Sequence, residues 1–287
     1  MLTKFKYIRP KTIDEALEIL NTPENTAIIS GGTDLLVQNR ARLVEPNTVV
    51  DVKEIPELKQ IRETDTDILL GSAVTFSMII ESDIVRKHAN VLTQAAQCVG
   101  SPQIRNQGTI GGNAQTASPA GDGLVALCGM DAEVELVSLS GVRRMPVKQY
   151  VVGPGKTVKQ HNELIKGFII RKQEWDFSRF FKVGRRKALA ISIVNGVINL
   201  SFDDEKNISS ARITLGAVAP TPVQIADLEK ELIGKRYSDE LGTLIREKVL
   251  AAVAPISDIR GSKEYRSYIA AVRCDGIIKE AASMRGC

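Results

Sequence analysis

Apolar residues in the first half of the chain fall in short runs that alternate between an extended and a helical period. Residues 5–8 read as extended, and 12–20 carry apolar positions at helical spacing. Thr12 is placed to cap that helix and Glu15 stands three residues on, the reciprocal pairing of a capping box. The run 27–30 is a short buried strand that leads directly into Gly31-Gly32, residues 34–43 continue as a helix, and 48–52 form the next strand. A strand, a glycine turn and a helix in succession leave free backbone N–H groups at a helix start, where an anion is stabilised. A second α/β unit follows, with 68–71 extended and helical patterns at 76–81 and 84–99. Gly100-Ser101-Pro102 stops the second helix, because proline cannot continue one and restricts the residue before it. Residues 104–122 are polar and glycine-rich, with threonine, asparagine and serine at close intervals, and read as a long loop. Loops of that length in compact domains are usually functional.

The second half changes character. After a helix at 124–130, residues 133–138 and 142–147 form a hairpin around Ser140-Gly141, and 164–171 is a further strand. Beyond 172–175 the pattern becomes three antiparallel strands, 177–182, 193–202 and 208–218, with residues 203–207 turning between the last two. Helices are expected at 223–233, 239–253 and 262–282. The chain therefore reads as an α+β protein with a boundary near residue 174: a domain 1–174 made of two α/β subdomains (about 1–55 and 56–174), and a smaller sheet-and-helix domain 175–287.

Composition narrows the function classes. Of 287 residues, 43% are hydrophobic and 25% charged, which supports a packed core and excludes a disordered chain. Thirty-eight basic residues against 34 acidic ones give a net charge of +4, too small and dispersed an excess for a nucleic-acid binder. No apolar run approaches a membrane span and no signal sequence opens the chain, so a cytoplasmic protein is expected. Cys98, Cys128, Cys274 and Cys287 form no CxxC pair, and His88 and His161 are the only histidines. This pattern fits reduced structural thiols and leaves no metal or iron–sulfur site in the chain.

Two stretches carry the candidate chemistry. The first is Ser30-Gly31-Gly32-Thr33-Asp34. The second is Thr109-Ile110-Gly111-Gly112-Asn113, followed at once by Ala114-Gln115-Thr116-Ala117-Ser118-Pro119-Ala120-Gly121-Asp122. Either one alone is an ordinary tight turn, and Asp34 and Asp122 alone are ordinary turn or cap residues. As a pair they could grip one pyrophosphate from both sides, because glycine lets backbone N–H groups approach phosphate oxygens closely. No GxGxxG and no GxxxxGK[ST] is present, so neither a Rossmann nor a P-loop site accounts for them.

With these motifs the sequence resembles the FAD-binding subunit of the xanthine dehydrogenase and carbon monoxide dehydrogenase family of molybdenum hydroxylases. The matching stretches are Ile28-Ile29-Ser30-Gly31-Gly32-Thr33-Asp34-Leu35, Gly108-Thr109-Ile110-Gly111-Gly112-Asn113, and Phe181-Lys182-Val183-Gly184-Arg185-Arg186-Lys187 with Ala190-Ile191-Ser192. The resemblance covers essentially the whole chain. It implies a vanillyl-alcohol-oxidase-type (PCMH-type) FAD-binding domain followed by a C-terminal flavoprotein domain. It also implies that Ile28 through Leu35, with the Thr33 side chain, hold the FAD pyrophosphate from one side. Gly108, Thr109, Gly111, Gly112, Asn113, Thr116, Ser118 and Asp122 would close from the other, Ile104 and Ile165 would pack on the rings, and Lys182 would lie near the flavin. The remaining cations of that cluster read as a solvated strand end or as a docking site for a partner.

Some relatives carry histidine where this chain has Thr33, so the resemblance implies noncovalent FAD here. The cysteine insertion of the benzoyl-CoA-type relatives is lacking. Family members that are single chains also hold two [2Fe-2S] clusters and a molybdopterin domain, which this chain has no cysteine clusters or length to supply. The expectation is therefore an oxidoreductase subunit with no catalytic side chain of its own, since the cofactor carries the redox chemistry. Iron–sulfur and molybdopterin-binding subunits would be its partners, and an acceptor such as NAD would take the electrons. A purine is the expected substrate of the complex. A self-sufficient flavin-dependent oxidoreductase of the same fold, or a noncatalytic nucleotide-binding assembly module, remain the alternatives.

Overall fold

Thr12 opens the first helix, Ile13–Leu20, accepting the N–H of Glu15 at 3.2 Å, while the Glu15 carboxylate reaches back to the N–H of Lys11 at 2.6 Å. Ala16, Leu17 and Leu20 of that helix pack beside a parallel three-stranded sheet in the order Lys6–Ile8, Thr48–Asp51, Thr26–Ile29. The computed structural model describes residues 2–22, 24–186 and 189–284, so Cys287 and Lys187 lie outside the described residues. No helix among these is long and apolar enough to cross a membrane.

A second layer is an antiparallel five-stranded sheet in the order Ile61–Glu63, Asp67–Gly71, Leu164–Arg171, Glu133–Ser138, Gly141–Pro146. The expected hairpin at Ser140-Gly141 joins its last two strands, with Ser138 opposite Gly141. Helices cover this sheet, and Ile68, Leu70, Phe76, Leu92, Leu124, Leu127 and Phe168 form its core. The single helix expected at 84–99 is two helices, Asp83–His88 and Asn90–Gln97, broken at Ala89, whose φ of −143° is not helical. The expected loop 104–122 is also different. It holds two short helices, Pro102–Gln107 and Ile110–Thr116, each capped by a hydroxyl, Ser101 and Thr109 respectively. Their glycine content hides them from periodicity, since glycine is a poor helix former and only local caps define these turns.

The third layer is an antiparallel four-stranded sheet, Phe177–Val183, Val194–Phe202, Ile208–Gly216 and Val223–Gln224. Three of these strands are as expected. The fourth replaces the start of the helix expected at 223–233, because Val223 pairs with Leu215 and Gln224 with Thr214, and the helix begins only at Ala226. Helices Ala226–Leu232, Asp239–Ala252 and Lys263–Met284 bury Leu228, Ile245, Val249, Ile277 and Ile278 in the same core as this sheet. Helix Asp122–Gly129 joins the layers. Every residue of it is buried, and it packs against strands Val194–Phe202 and Ile208–Gly216. A Cβ on Gly129 would stand 2.6 Å from the Val197 side chain, so helix and sheet meet as closely as glycine permits.

Asp258 fastens the turn before the last helix. Its carboxylate accepts from Arg266 Nη2 at 2.7 Å, from Arg260 Nη1 at 2.8 Å and from the Arg260 N–H at 2.8 Å. Burial works against the charge, but the Arg260 amide and the two guanidiniums outweigh it and hold the group well below its ordinary value of 3.8. A depressed folded-state value stabilises the protein above the unfolded value, and that stability is lost as pH falls through it. The difference in thermal midpoint between wild type and Asp258→Asn is therefore expected to be full near pH 6, to begin shrinking below about pH 4, and to vanish only as pH falls through the depressed folded-state value. Calorimetry across that range checks it.

Candidate cofactor-binding site

Between the parallel sheet and the five-stranded layer lies a cavity of about 550 Å³. Strand Thr26–Ile29 leads into its first wall, formed by Ile28, Ile29, Ser30, Gly31, Gly32, Thr33, Asp34 and Leu35. Its second wall is Ile104, Gly108, Thr109, Gly111, Gly112, Asn113 and Thr116, and Ile165 closes it from strand Leu164–Arg171. The two glycine turns, Gly31-Gly32 and Gly111-Gly112, 80 residues apart in the chain, thus face one space. They also touch. Thr116 Oγ1 donates to Asp34 Oδ2 at 3.0 Å, and a Cβ on Gly31 would lie 2.2 Å from the Gln107 carbonyl and 2.9 Å from Gly108 Cα.

The first turn is rich in unsatisfied donors. Gly32 has φ +69°, the left-handed region where side chains are strained, and the chain around it cannot close a regular backbone ladder. Among the described residues, the backbone N–H groups of Gly31, Gly32, Thr33 and Asp34 meet no hydrogen-bond acceptor. Ser30 Oγ is buried in the same wall with no partner. Four free amides and an orphaned hydroxyl converging on one cavity suit the oxygens of a dinucleotide's two phosphates, because unmade bonds to buried donors are costly until a ligand fills them. The residues present fit FAD in this respect.

Other side chains serve the fold of the cleft. Thr109 Oγ1 accepts the Gly112 N–H at 3.1 Å as the cap of helix Ile110–Thr116, and Asn113 Oδ1 accepts the Leu124 N–H at 2.8 Å. Asp34 stands at a helix start but does not cap it. Its carboxylate instead takes Gln38 Nε2 at 2.7 Å and Thr116 Oγ1.

Ser118, Asp122 and Lys182 do not line the cavity, whose described lining comes entirely from residues before 166. Ser118 Oγ accepts the Ala120 N–H at 3.3 Å in a local turn. Asp122 is buried behind the second wall, where its carboxylate accepts from Lys182 Nζ at 2.6 Å, Ser192 Oγ at 2.7 Å and Asn195 Nδ2 at 2.7 Å. Lys182 Nζ also donates to the Cys98 carbonyl at 2.9 Å. These bonds tie the four-stranded sheet to the end of the glycine segment, aided by the Ala217 N–H on the Pro119 carbonyl at 2.7 Å.

The cavity also recruits residues that the sequence did not single out as site residues: Ser72, Phe76, Gln115, Lys159 and His161. Lys159 Nζ donates to the carbonyls of Gln160 and Glu163 at 2.9 and 3.0 Å, and burial pulls its ammonium below the usual value. Arg143 fixes this third wall, donating to Glu163 at 2.5 and 2.8 Å and to the Val158 carbonyl at 2.8 Å. Burial raises the Glu163 carboxyl, yet Arg143 and the Gln160 amide outweigh that and hold it below the usual range. Only Gly153 and Gly155 mark this segment in the sequence, and neither announces a cation.

Residues 3–171 match the family described as the FAD binding domain in molybdopterin dehydrogenase, and 179–281 the CO dehydrogenase flavoprotein C-terminal domain. Fold and cleft together define a flavoprotein subunit of the molybdopterin dehydrogenase class. More closely, the chain belongs to the FAD-binding medium subunits of the xanthine dehydrogenase and carbon monoxide dehydrogenase family of molybdenum hydroxylases, and it is an oxidoreductase subunit. It is 37% identical over 236 residues to the nicotinate dehydrogenase FAD-subunit of Eubacterium barkeri, covering 80% of each chain. It is 31% identical over 283 residues to the xanthine dehydrogenase FAD-binding subunit of Escherichia coli O157:H7, covering 98% of this chain and 97% of the relative. Among solved structures, the reconstituted CO dehydrogenase from Oligotropha carboxidovorans superposes with a TM-score of 0.94 at 28% identity over 99% of both chains.

Proposed function

We propose that this chain passes electrons from iron–sulfur clusters on a partner subunit, via noncovalently held FAD, to an acceptor such as NAD, while a molybdopterin-binding subunit hydroxylates the substrate. The observation that carries the cofactor assignment is the row of unpartnered amides from Gly31 to Asp34 beside the orphaned Ser30 hydroxyl. When bound, FAD supplies the exchange between two-electron and one-electron redox chemistry that no side chain provides. The chain's own residues bind and orient. The amides of 31–34 donate to the phosphates from one side; Gly111 and Gly112 keep the opposite wall low enough to admit them. The Thr116 to Asp34 bond holds the two walls at a fixed separation. Ile104 and Ile165 supply apolar surface for the rings, and the buried placement of Ile165 keeps water from that end. Lys159 adds the cation nearest the cleft's third wall.

Ser118, Asp122 and Lys182 fit a supporting role behind the cradle, because their polar atoms are spent on one another and on the neighbouring sheet. The division at residue 174, with subdomains at about 1–55 and 56–174, and residence in the cytoplasm belong to the same proposal. The purine guess is supported by the likeness to a xanthine dehydrogenase subunit; the likeness to a nicotinate dehydrogenase subunit supports another N-heterocycle equally.

Two measurements test this. The purified chain is expected to carry about one FAD and to reduce artificial acceptors poorly with purines or aldehydes. Fast turnover by the pure subunit would establish the self-sufficient alternative, and a colourless chain that takes up no FAD would establish the assembly module. Lys159→Met is expected to weaken FAD binding about tenfold, a loss of one charge-assisted contact, when followed by flavin fluorescence titration. Unchanged affinity would remove Lys159 from the site.

A further inference from the structure

Helix Ile110–Thr116 turns Gly112, Gln115 and Thr116, three and four residues apart, toward the cavity. Gly112 leaves space there, and Thr116 bonds Asp34 across the cleft. Gln115 is exposed, and an exposed glutamine is ordinarily free to turn either end of its amide to a ligand. Here that freedom is removed. Its Oε1 accepts the hydroxyl of Tyr150 at 2.7 Å.

Tyr150 belongs to the core rather than to the cavity lining. Its side chain is fully buried among the apolar residues that cover the five-stranded sheet. Burial pushes its hydroxyl up from the ordinary value of 10, so the proton stays on, while the Thr157 side chain bonded to the phenolic oxygen pulls the other way, as a donor does. A buried O–H that keeps its proton must give it to an acceptor, and the only acceptor on a carboxamide is its oxygen. The Gln115 amide is thereby fixed in one sense, oxygen to Tyr150 and nitrogen away from it. Among the described residues, Nε2 meets no acceptor.

The tyrosine is itself held in place. Its carbonyl accepts the Val158 N–H at 3.0 Å, across the hairpin of strands Val151–Gly153 and Lys156–Thr157. The tip of that hairpin is tied to the end of the glycine helix by the Gly155 N–H on the Ala117 carbonyl at 3.1 Å. Just beyond it, Lys159 spends two of its three ammonium protons on carbonyls. Gln115 and Lys159 thus line the cavity with donors to spare. Such a wall suits a group that only accepts, and the part of a dinucleotide that only accepts is its diphosphate.

We propose that Tyr150 is a positioning residue for the cofactor: by holding Oε1 of Gln115, it presents Nε2 as a fixed donor to the diphosphate from the wall opposite the amides of 31–34. The inference rests on the FAD reading given above. Anchoring the amide before the ligand arrives lowers the cost of ordering it.

The test is flavin titration of the apoprotein, with ADP as a competing probe because it carries the diphosphate without the flavin. Tyr150→Phe is expected to weaken FAD and ADP by the same factor, about fivefold, the worth of one neutral hydrogen bond. In a Gln115→Ala background the same change is expected to leave both affinities where Gln115→Ala alone puts them, since the tyrosine acts only through the amide. A tyrosine that merely supports the fold would cost affinity equally in both backgrounds. That result, unchanged affinity in Tyr150→Phe, or a loss confined to FAD would overturn the proposal. Gln115→Glu keeps the shape and the Tyr150 bond but turns an anionic oxygen to the phosphates. It is expected to bind both ligands at least about tenfold more weakly than Gln115→Ala, through like-charge repulsion. Equal affinity in the Glu and Ala variants would overturn the donor role even if Tyr150→Phe did not fold. A wild-type chain that bound neither FAD nor ADP would overturn the cofactor reading itself, and this role with it.

Discussion

Replacing Gly112 by leucine is expected to weaken FAD binding at least about a hundredfold, some 2.7 kcal/mol, without lowering the stability of the apoprotein. Gly112 is exposed on the cleft, and a Cβ there would meet only Thr109 Oγ1, at 3.0 Å. Its side chain would therefore project into the space the phosphates need. Within helix Ile110–Thr116 the change also removes a poor helix former, worth roughly 1 kcal/mol to the folded state. The neighbouring glycine behaves differently. Gly111 is buried, and a Cβ there would lie 2.6 Å from both the Ser72 carbonyl and its Cβ. Gly111→Leu is expected to cost about 3 kcal/mol or more of stability, because backbone cannot yield as a side chain can. Flavin titration and calorimetry on both variants separate the roles. Normal FAD affinity in Gly112→Leu would refute the two-sided cradle.

Lys182→Met is expected to destabilise the chain by about 3–5 kcal/mol, since it leaves the Asp122 carboxylate buried without its cation. Asp122 is buried and Lys182 half-buried, at 6% and 13% side-chain exposure, so solvent screening softens the loss only in part. Ser192 and Asn195 still donate to Asp122, and for this reason Lys182→Met with Asp122→Asn is expected to recover part of the stability. The coupling in that double-mutant cycle reports the pair itself. FAD affinity, measured where Lys182→Met remains folded, distinguishes the two readings of this lysine. A supporting role predicts a modest change in affinity alongside the large stability loss. A large loss of affinity with intact stability would make Lys182 a flavin ligand instead.

Much of the site was legible because its chemistry is local. The Gly-Gly turns, the Thr109 hydroxyl and the strand running into Gly31 are encoded within a few residues, and the backbone near Gly32 needs a conformation that glycine tolerates best. The core strands were legible for the same reason, since alternation and apolar runs report burial directly. The misread elements are those whose form depends on distant partners. Helix Ile110–Thr116 has little periodicity and is defined by its cap and by the fit of Gly111 against Ser72. Val223 and Gln224 extend because Leu215 and Thr214 offer them an open strand edge.

Lys159 and His161 show the same limit within the site. Their segment is an unremarkable polar loop until Arg143, on another strand, holds Glu163 and turns the loop toward the cleft. Asp122 and Lys182 show it in reverse. The resemblance set Asp122 among the residues closing on the cofactor and Lys182 near the flavin, and in the structure the two pair with each other across the layers.

The sequence by itself determined that this chain has two glycine turns able to meet a pyrophosphate, an α+β order of elements, and four cysteines that form no CxxC pair. Those properties reside in residue types and short spacings. Only the tertiary structure decided that the turns face one cavity, which wall each side chain serves, and that the charged pair behind the cradle joins the layers. Contacts between residues tens of positions apart are set by the packing of whole elements, and no local pattern carries that information.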